Sequence, residues 1–272
     1  MRDSRHSLHT SAYVNAHHLR PYEDDRQNRR HCPGDIRESH RPRVIAAQET
    51  PLTTTATLDS NSVIGMSRTT SSGQSWDERY AEDGFAFGTE PNDFLREVAD
   101  VLPIGRTLCI GDGEGRNGVF LAELGHTVTT IDLSPVGVLK ARRLAAERGV
   151  TVDAQVADLE QYELGTGACD CIVSIFCHLP PELRHRVHQA IPRALVSNGC
   201  FIFEAYRRAN IGRGVGGPQN PDMTVELEEL LESLGSHNHV EIVIGREVER
   251  EITEGKYHNG LSATTQLLAR RT

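Results

Sequence analysis

From residue 106 onward, short apolar runs alternate with stretches in which apolar residues recur every three or four positions. Arg106 to Ile110 reads as a buried strand and Gly111 to Gly115 as a glycine-dense turn. Phe120, Leu121 and Leu124 share the inner face of the helix that follows, which Gly125 ends. Thr127 to Ile131 is a second strand. Ser134-Pro135 supplies an N-cap with proline at the first helical position, and Val136, Leu139 and Leu144 face inward until Gly149 stops that helix. Val150 to Val156 and Cys171 to Phe176 are the third and fourth strands. A helix through Leu183, Val187, Ile191 and Leu195 follows, with Pro192 expected to kink it. Asn198-Gly199 turns into a fifth strand, Cys200 to Ala205. After a helix near Met223 to Leu234, strands His239 to Glu247 and Ser262 to Ala269 have no helix between them and predict an antiparallel pair. The alternation predicts an α/β fold: a doubly wound, Rossmann-like, mostly parallel sheet of seven strands.

Residues 1–65 show neither period. They hold 9 Arg, no Lys, 8 acidic residues and 6 of the 13 His. This composition predicts a disordered tail. Glu23, Asp24 and Asp25 interrupt any basic amphipathic targeting stretch, and His6, His9, His17 and His18 match no fixed-geometry metal site, so no metal is expected. Residues 1–75 are therefore expected to be tail and linker, with Met66 as the natural start, and 76–272 one folded domain. Of the chain's net charge of −9, the tail contributes almost nothing, so the core carries 20 basic and 30 acidic side chains. An acidic core offers no field for phosphate backbones, which argues against nucleic acid. The longest mostly apolar run, Cys169 to Cys177, is too short for the roughly 20 residues that cross a bilayer, which argues against a membrane span. Six cysteines, only Cys32 of them before position 109, do not resemble a disulfide framework. A reducing, cytoplasmic setting is expected, with the protein a monomer or weak homodimer.

The glycine turn is the first chemical signal. Glycines at the end of the first strand let a ligand approach the backbone, and the next helix offers unpaired N–H groups. Asp132, 21 residues after Gly111 at the end of the second strand, stands where a carboxylate can accept from both ribose hydroxyls. Together they imply an adenosyl ligand. Gly113 to Gly118 matches the dinucleotide pattern G-x-G-x-x-G, so an NAD(P)-dependent oxidoreductase is one alternative. The overlapping series Gly111, Gly113, Gly115 starts directly at the strand end, as S-adenosylmethionine sites do. Neither Lys140 nor Lys256 has the tyrosine four positions earlier that a short-chain dehydrogenase needs. Methyl transfer is the better reading.

Trp76-Asp-Glu-Arg-Tyr80, Phe87-Gly-Thr-Glu-Pro-Asn92 and Gly113-Glu-Gly-Arg-Asn117 resemble segments of class I S-adenosylmethionine-dependent methyltransferases. They are most similar to the small-molecule subgroup that contains tellurite-resistance and thiopurine methyltransferases. The resemblance covers residues 76–272. It implies that Gly111, Gly113 and Gly115 approach the methionine part of the cofactor, with Asn117 and Ile175 nearby, and that Asp132 holds the ribose. Leu133 would lie on the adenine, Asp158 would take its amino group, and Leu159 would be the apolar neighbour. Many members carry an acid where Cys109 stands, which leaves the cofactor's ammonium to the backbone or to Asp112.

An activated methyl needs chiefly an aligned acceptor and a dry site. A thiol or chalcogen acceptor needs little proton management, whereas an amine or phenol wants a base. His178, in the loop after the fourth strand, is the candidate acid, base or hydrogen-bond partner, and a helix-capping role suits it equally. Trp76, Arg79 and Tyr80 are expected to cover the substrate, Gly212 to Pro218 to form a lid, and Arg207 with Arg208 and Arg213 to meet an anionic acceptor. Cys169, Cys171, Cys177 and Cys200 read as buried thiols rather than metal ligands. Neither the Asn/Asp-Pro-Pro-Tyr/Phe motif nor a Pro-Cys nucleophile is present, which favours a small-molecule acceptor over nucleic acid, with detoxification as a setting. A cofactor-binding protein that has lost transfer is the remaining alternative.

Overall fold

The structure, a computed structural model, describes residues 12–14, 75–235 and 239–272. Met66 and most of the expected tail and linker lie outside the described residues. The elements are β1 (Ala12–Val14), α1 (Trp76–Tyr80), α2 (Asp93–Val98), β2 (Arg106–Ile110), α3 (Arg116–Glu123), β3 (Thr127–Asp132), α4 (Pro135–Glu147), β4 (Val152–Val156), β5 (Cys169–Ile175), α5 (Pro181–Ala194), β6 (Leu195–Tyr206), α6 (Leu227–Ser233), β7 (Val240–Glu254) and β8 (His258–Arg271). They form one sheet in the order β1-β7-β8-β6-β5-β2-β3-β4. β2 pairs in parallel with both β3 and β5, and β3–β4 and β5–β6 are also parallel. β8 runs antiparallel between β6 and β7. The chain reverses its winding direction between β2 and β5, the place where such sheets open a crevice at their carboxyl ends.

The strand pleat divides the core. Leu108, Ile110, Ile172, Phe201 and Phe203 pack on one face with α5 and α6, whereas Cys109, Val128, Cys171, Val173 and Ile202 pack on the other with Phe94 and Leu95. Phe94 and Leu95 are no more than 1% exposed, so each contributes roughly 1.5–3 kcal/mol through burial. Cys109, Cys169, Cys171, Cys177 and Cys200 are all buried and free.

Several expectations are corrected. Ala12–Val14, predicted to be tail, pairs antiparallel with Ile244 to Arg246, giving the sheet an eighth strand. An edge strand offers unpaired backbone groups to any extended segment, which no side-chain period announces. In α4 the inner face is Gly137, Val138, Ala141, Leu144 and Ala145, while Leu139 is 65% exposed and Val136 only half-buried. Leu124 is likewise exposed, because it caps α3 instead of facing the sheet. Pro192 does not interrupt α5, which continues to Ala194; so near the end, the donor it lacks costs one bond. Asn198, with φ 63°, belongs to a bulge inside β6 rather than to a turn before it. The final hairpin runs seven residues further toward its tip than the sequence predicts at β7, to Glu254 rather than Glu247, because charged positions there are paired rather than solvated.

Candidate active site

β2 ends at Ile110, and the backbone then turns through Gly111, Asp112 and Gly113. The turn is held to β3 by Gly111 N–H to Ile131 O (2.8 Å) and by Gly113 N–H to an Asp132 carboxylate oxygen (2.9 Å). Gly113 has φ 56°, and a Cβ there would lie 2.5 Å from the Tyr80 hydroxyl. Gly115, with φ 86°, is the N-cap of α3 and provides no side-chain cap. A Cβ at Gly115 would lie 2.5 Å from that of Ala141, so the glycine lets α3 and α4 close together. The uncapped first turn of α3 faces a cavity of about 690 Å3 above the carboxyl ends of β2 and β5.

One wall of this cavity is Gly111 to Gly113 with Asn117 and Ile175, and a second is aromatic, with Trp76, Tyr80, Phe87 and Phe176. Phe176 adopts φ 52°, an uncommon conformation for a bulky residue, and stacks on Tyr206 at 4.6 Å. His178 and His258 face the cavity from the loop after β5 and from the start of β8. The roof comes from Gly214 to Asn220, where the sequence predicts a lid; Gly216 and Gly217 pack against His258 and Tyr206 so closely that neither has room for a side chain.

Burial governs the charges. It pushes the Asp112 carboxyl up to about 7, partly offset by the Gly118 N–H, and that of Asp132 up to about 6 despite the N–H groups of Ser134 and Gly113. His178 is pushed down to about 3, first by burial and then by the neighbouring His258. Its Nδ1 lies 3.2 Å from the Met223 carbonyl, which only accepts, so Nδ1 carries the hydrogen and the buried, unpartnered Nε2 is an acceptor.

Of the residues singled out in the sequence, Gly111, Asp112, Gly113, Asn117, Ile175, Trp76, Arg79, Tyr80 and His178 line this cavity together. Gly115 lies behind the turn. Asp132 is 8% exposed beneath Gly113, with its second oxygen accepting from Ser134 N–H at 2.9 Å. Leu133 and Asp158 are half-buried outside the lining, and Leu159 belongs to the core beside Ile131 and Leu164. The Arg207 guanidinium turns to Glu247 (2.9 Å) and Arg213 pairs with Glu249, which leaves that cluster outside the lining.

The segment 113–117 also does something the sequence does not reveal. Glu114 accepts from Ala86 N–H (2.7 Å) and pairs with Lys140 (3.0 Å), holding the loop that carries Phe87. Arg116 pairs with Glu254 at 2.6 Å, holding the hairpin tip that carries Tyr257 and His258. Asn117 accepts from Asn92 N–H at 3.0 Å. Behind them Glu204, fully buried, accepts from Arg250 Nε and Nη2 (both 2.9 Å), Asn92, Thr264 and Gln266. His258, Tyr257 and Glu254 had no sequence signal, since only the hairpin's length brings them to a turn some 140 residues earlier.

A backbone-lined glycine turn, a helix N-terminus without a side-chain cap and a carboxylate at the end of the neighbouring strand form a cradle suited to an adenosyl cofactor with a charged tail. The cavity volume falls within the usual range for ligand sites, ~300–1,000 Å3. Residues 107–199 match a family described as "Methyltransferase domain". A 2-heptyl-1-hydroxyquinolin-4(1H)-one methyltransferase of Mycobacteroides abscessus is 29% identical over 162 residues, covering 58% of this chain and 71% of that protein. TehB from Haemophilus influenzae superposes with a TM-score of 0.52 at 19% identity, covering 66% of this chain and 62% of that one. A SAM-dependent methyltransferase from Methanosarcina mazei gives 0.52 at 16% identity, covering 66% and 98%. At such identities the two structures show the fold alone. With the glycine turn in place on that fold and the domain family matched from β2 into β6, this chain carries a methyltransferase domain, for which S-adenosylmethionine is the implied cofactor.

Proposed function

We propose that the enzyme methylates a small, flat aromatic molecule. The observation that carries this reading is the continuity of the cavity from the glycine turn to a wall in which the His258 ring lies 4.5 Å from that of Phe87 and 4.8 Å from that of Phe176. Such walls favour planar ligands, because ring faces stack with little loss of side-chain entropy. The hydroxyquinolone named for the M. abscessus relative has this shape, which supports the reading. So does the pairing of Arg207 with Glu247 and of Arg213 with Glu249, which partly neutralises the basic cluster near the mouth.

When bound, the cofactor supplies a methyl group already activated on a sulfonium. Gly111 and Gly113 would lie along its methionine part, and Asp112, whose carboxylate accepts from Gly118 N–H at 3.1 Å, would take the ammonium in place of an acid at Cys109. Asp132 would hold the ribose with the lone pairs its backbone contacts leave, and Leu133, Asp158 and Leu159 would flank the adenine. Trp76, Arg79 and Tyr80 exclude water from above, as α1 is fastened to the α4 N-terminus by Asp77 on Ser134. The His178 ring would lie beside the acceptor and orient it from the loop after β5. Kinship with the tellurite-resistance and thiopurine subgroup, a detoxifying role and a cytoplasmic location belong to the same proposal.

Calorimetry with S-adenosylhomocysteine, followed by transfer of labelled methyl to a panel of phenols, hydroxyquinolones, thiols, amines and chalcogen oxyanions, tests this reading. Aromatic acceptors are expected to lead the panel. Transfer restricted to non-aromatic acceptors overturns it.

A further inference from the structure

Two histidines face the acceptor end of the cavity, and they are not equivalent. Among the described residues, no carboxylate pairs with the His178 ring; its Nδ1–H is committed to the Met223 carbonyl. His258 has its Nδ1 directed at Glu254, 3.6 Å from Oε2, and that nitrogen is buried with no other partner. Glu254 is itself ionised: burial alone would raise its pKa, but the Arg116 guanidinium holds it at about 2. A fixed carboxylate behind an imidazole stabilises the cation that forms when the opposite ring nitrogen takes a proton.

We propose that His258 removes the acceptor's proton, with Glu254 as its positioning residue, while His178 only orients the acceptor. The inference rests on the aromatic-acceptor reading and narrows it to molecules with an ionisable hydroxyl or ring N–H. In the step, the acceptor's O–H or N–H bond breaks and the proton passes to Nε2 of His258. The electron pair left on oxygen or nitrogen forms the bond to the methyl carbon. The pair of the broken C–S bond stays on sulfur, so no oxidant or reductant is needed, and the imidazolium returns its proton to water after product leaves.

The groups around His258 fit this assignment. Glu254 on β7 favours the cation, while Arg116 on α3 and Arg79 on α1 oppose it, and burial lowers the resting pKa below the ordinary histidine value. The remaining neighbours, His178, Tyr206 and Tyr257, are neutral near pH 7: His178 is held at about 3, and both phenols are raised above their ordinary value. The free base is thus the resting form, which is the form a proton acceptor requires. The rings of Phe87, Phe176 and Tyr206, at 4.5, 4.8 and 5.3 Å, hold the imidazole in place.

The test uses the full chain with 2-heptyl-1-hydroxyquinolin-4(1H)-one and a series of substituted phenols as probes. His258→Gln is expected to lower kcat about 100-fold or more, the size of a general-base contribution, with S-adenosylhomocysteine affinity within threefold of wild type. Glu254→Gln is expected to keep an acid limb in the pH profile of kcat/KM but move it to lower pH, since the carboxylate raises the His258 pKa. His178→Gln is expected to raise KM more than it lowers kcat. Ring 15N shifts of His258, with S-adenosylhomocysteine present, are expected to show protonation on adding the probe, a readout independent of turnover. The proposal is overturned by a His258→Gln enzyme with kcat within threefold of wild type, by an imidazole that stays neutral in the ternary complex, or by a wild-type enzyme that accepts only proton-free nucleophiles. That last result leaves the methyltransferase assignment standing, whereas failure of wild type to bind S-adenosylhomocysteine removes the site itself.

Discussion

The Asp132 carboxylate accepts the Gly113 N–H at 2.9 Å, so the acid at the end of β3 fixes the turn at the end of β2. In the proposed binding mode one side chain would stand both under the methionine half of the cofactor and beside its ribose half. Asp132→Ala removes that acceptor and leaves the N–H groups of Gly113 and Ser134 unpaired. S-adenosylhomocysteine affinity is expected to fall by roughly 1–3 kcal/mol, read by calorimetry. An unchanged Kd places the ribose elsewhere.

With the cofactor role proposed for it, Asp112 is expected to make stability and cofactor binding respond oppositely to pH. Its folded-state pKa is raised from 3.8 to about 7 by burial, so folding takes up a proton; this contribution is complete below pH 3.8 and is lost as pH rises through about 7. In the cofactor-free enzyme, Asp112→Asn is expected to flatten the fall in Tm between about pH 4 and 7 and to melt above wild type at pH 8. The same variant is expected to bind S-adenosylhomocysteine more weakly, most of all at pH 8, where wild-type Asp112 is ionised. Parallel Tm profiles for the two proteins refute the linkage.

Glu204 is the hub of the buried network. Its removal leaves the Arg250 guanidinium, 17% exposed, facing the polar side chains of Asn92, Thr264 and Gln266 without a counter-charge from that side. Glu204→Ala is expected to cost about 3–5 kcal/mol, the usual penalty for breaking a buried pair, measured by urea unfolding. A loss below about 1 kcal/mol would mean that Asp93 and Glu254 compensate.

Among the described residues, those that line the cavity fall between positions 76 and 258, whereas β1 pairs at the far edge of the sheet from β4. We therefore propose that 76–272 is the functional domain. A chain starting at Met66 is expected to bind S-adenosylhomocysteine within threefold of full length, with at most a modest fall in Tm from the lost β1–β7 pairing. A tenfold or greater loss of affinity assigns residues 1–65 a part in the site.

The glycine turn was readable because its chemistry is local: a strand end, left-handed residues and a helix start follow one another in sequence. Gly111 and Gly113 line the cavity as their spacing implies, with Asp112 and Asn117, which the family resemblance pointed to. Asn117 shows the limit of such reading, since its carbonyl oxygen is spent on Asn92 N–H, a contact between two segments with no shared period. Leu139 fails for a similar reason. Its position fits an amphipathic stripe, but the close approach of α3 and α1 at Gly115 and Gly137 rotates the buried face onto small residues.

The sequence by itself determined the order of strands and helices, the cradle at the end of β2 and the acid at the end of β3, because hydrophobic period and turn chemistry act over a few residues. Only the tertiary structure decided what stands opposite the cradle. Glu114, Arg116 and Asn117 each reach to a different distant segment, and the long β7–β8 hairpin carries His258 back over β6 to meet Phe176 and His178. Buried ion pairs and ring contacts of that kind are set by where the chain returns in space, and no spacing along it records the return.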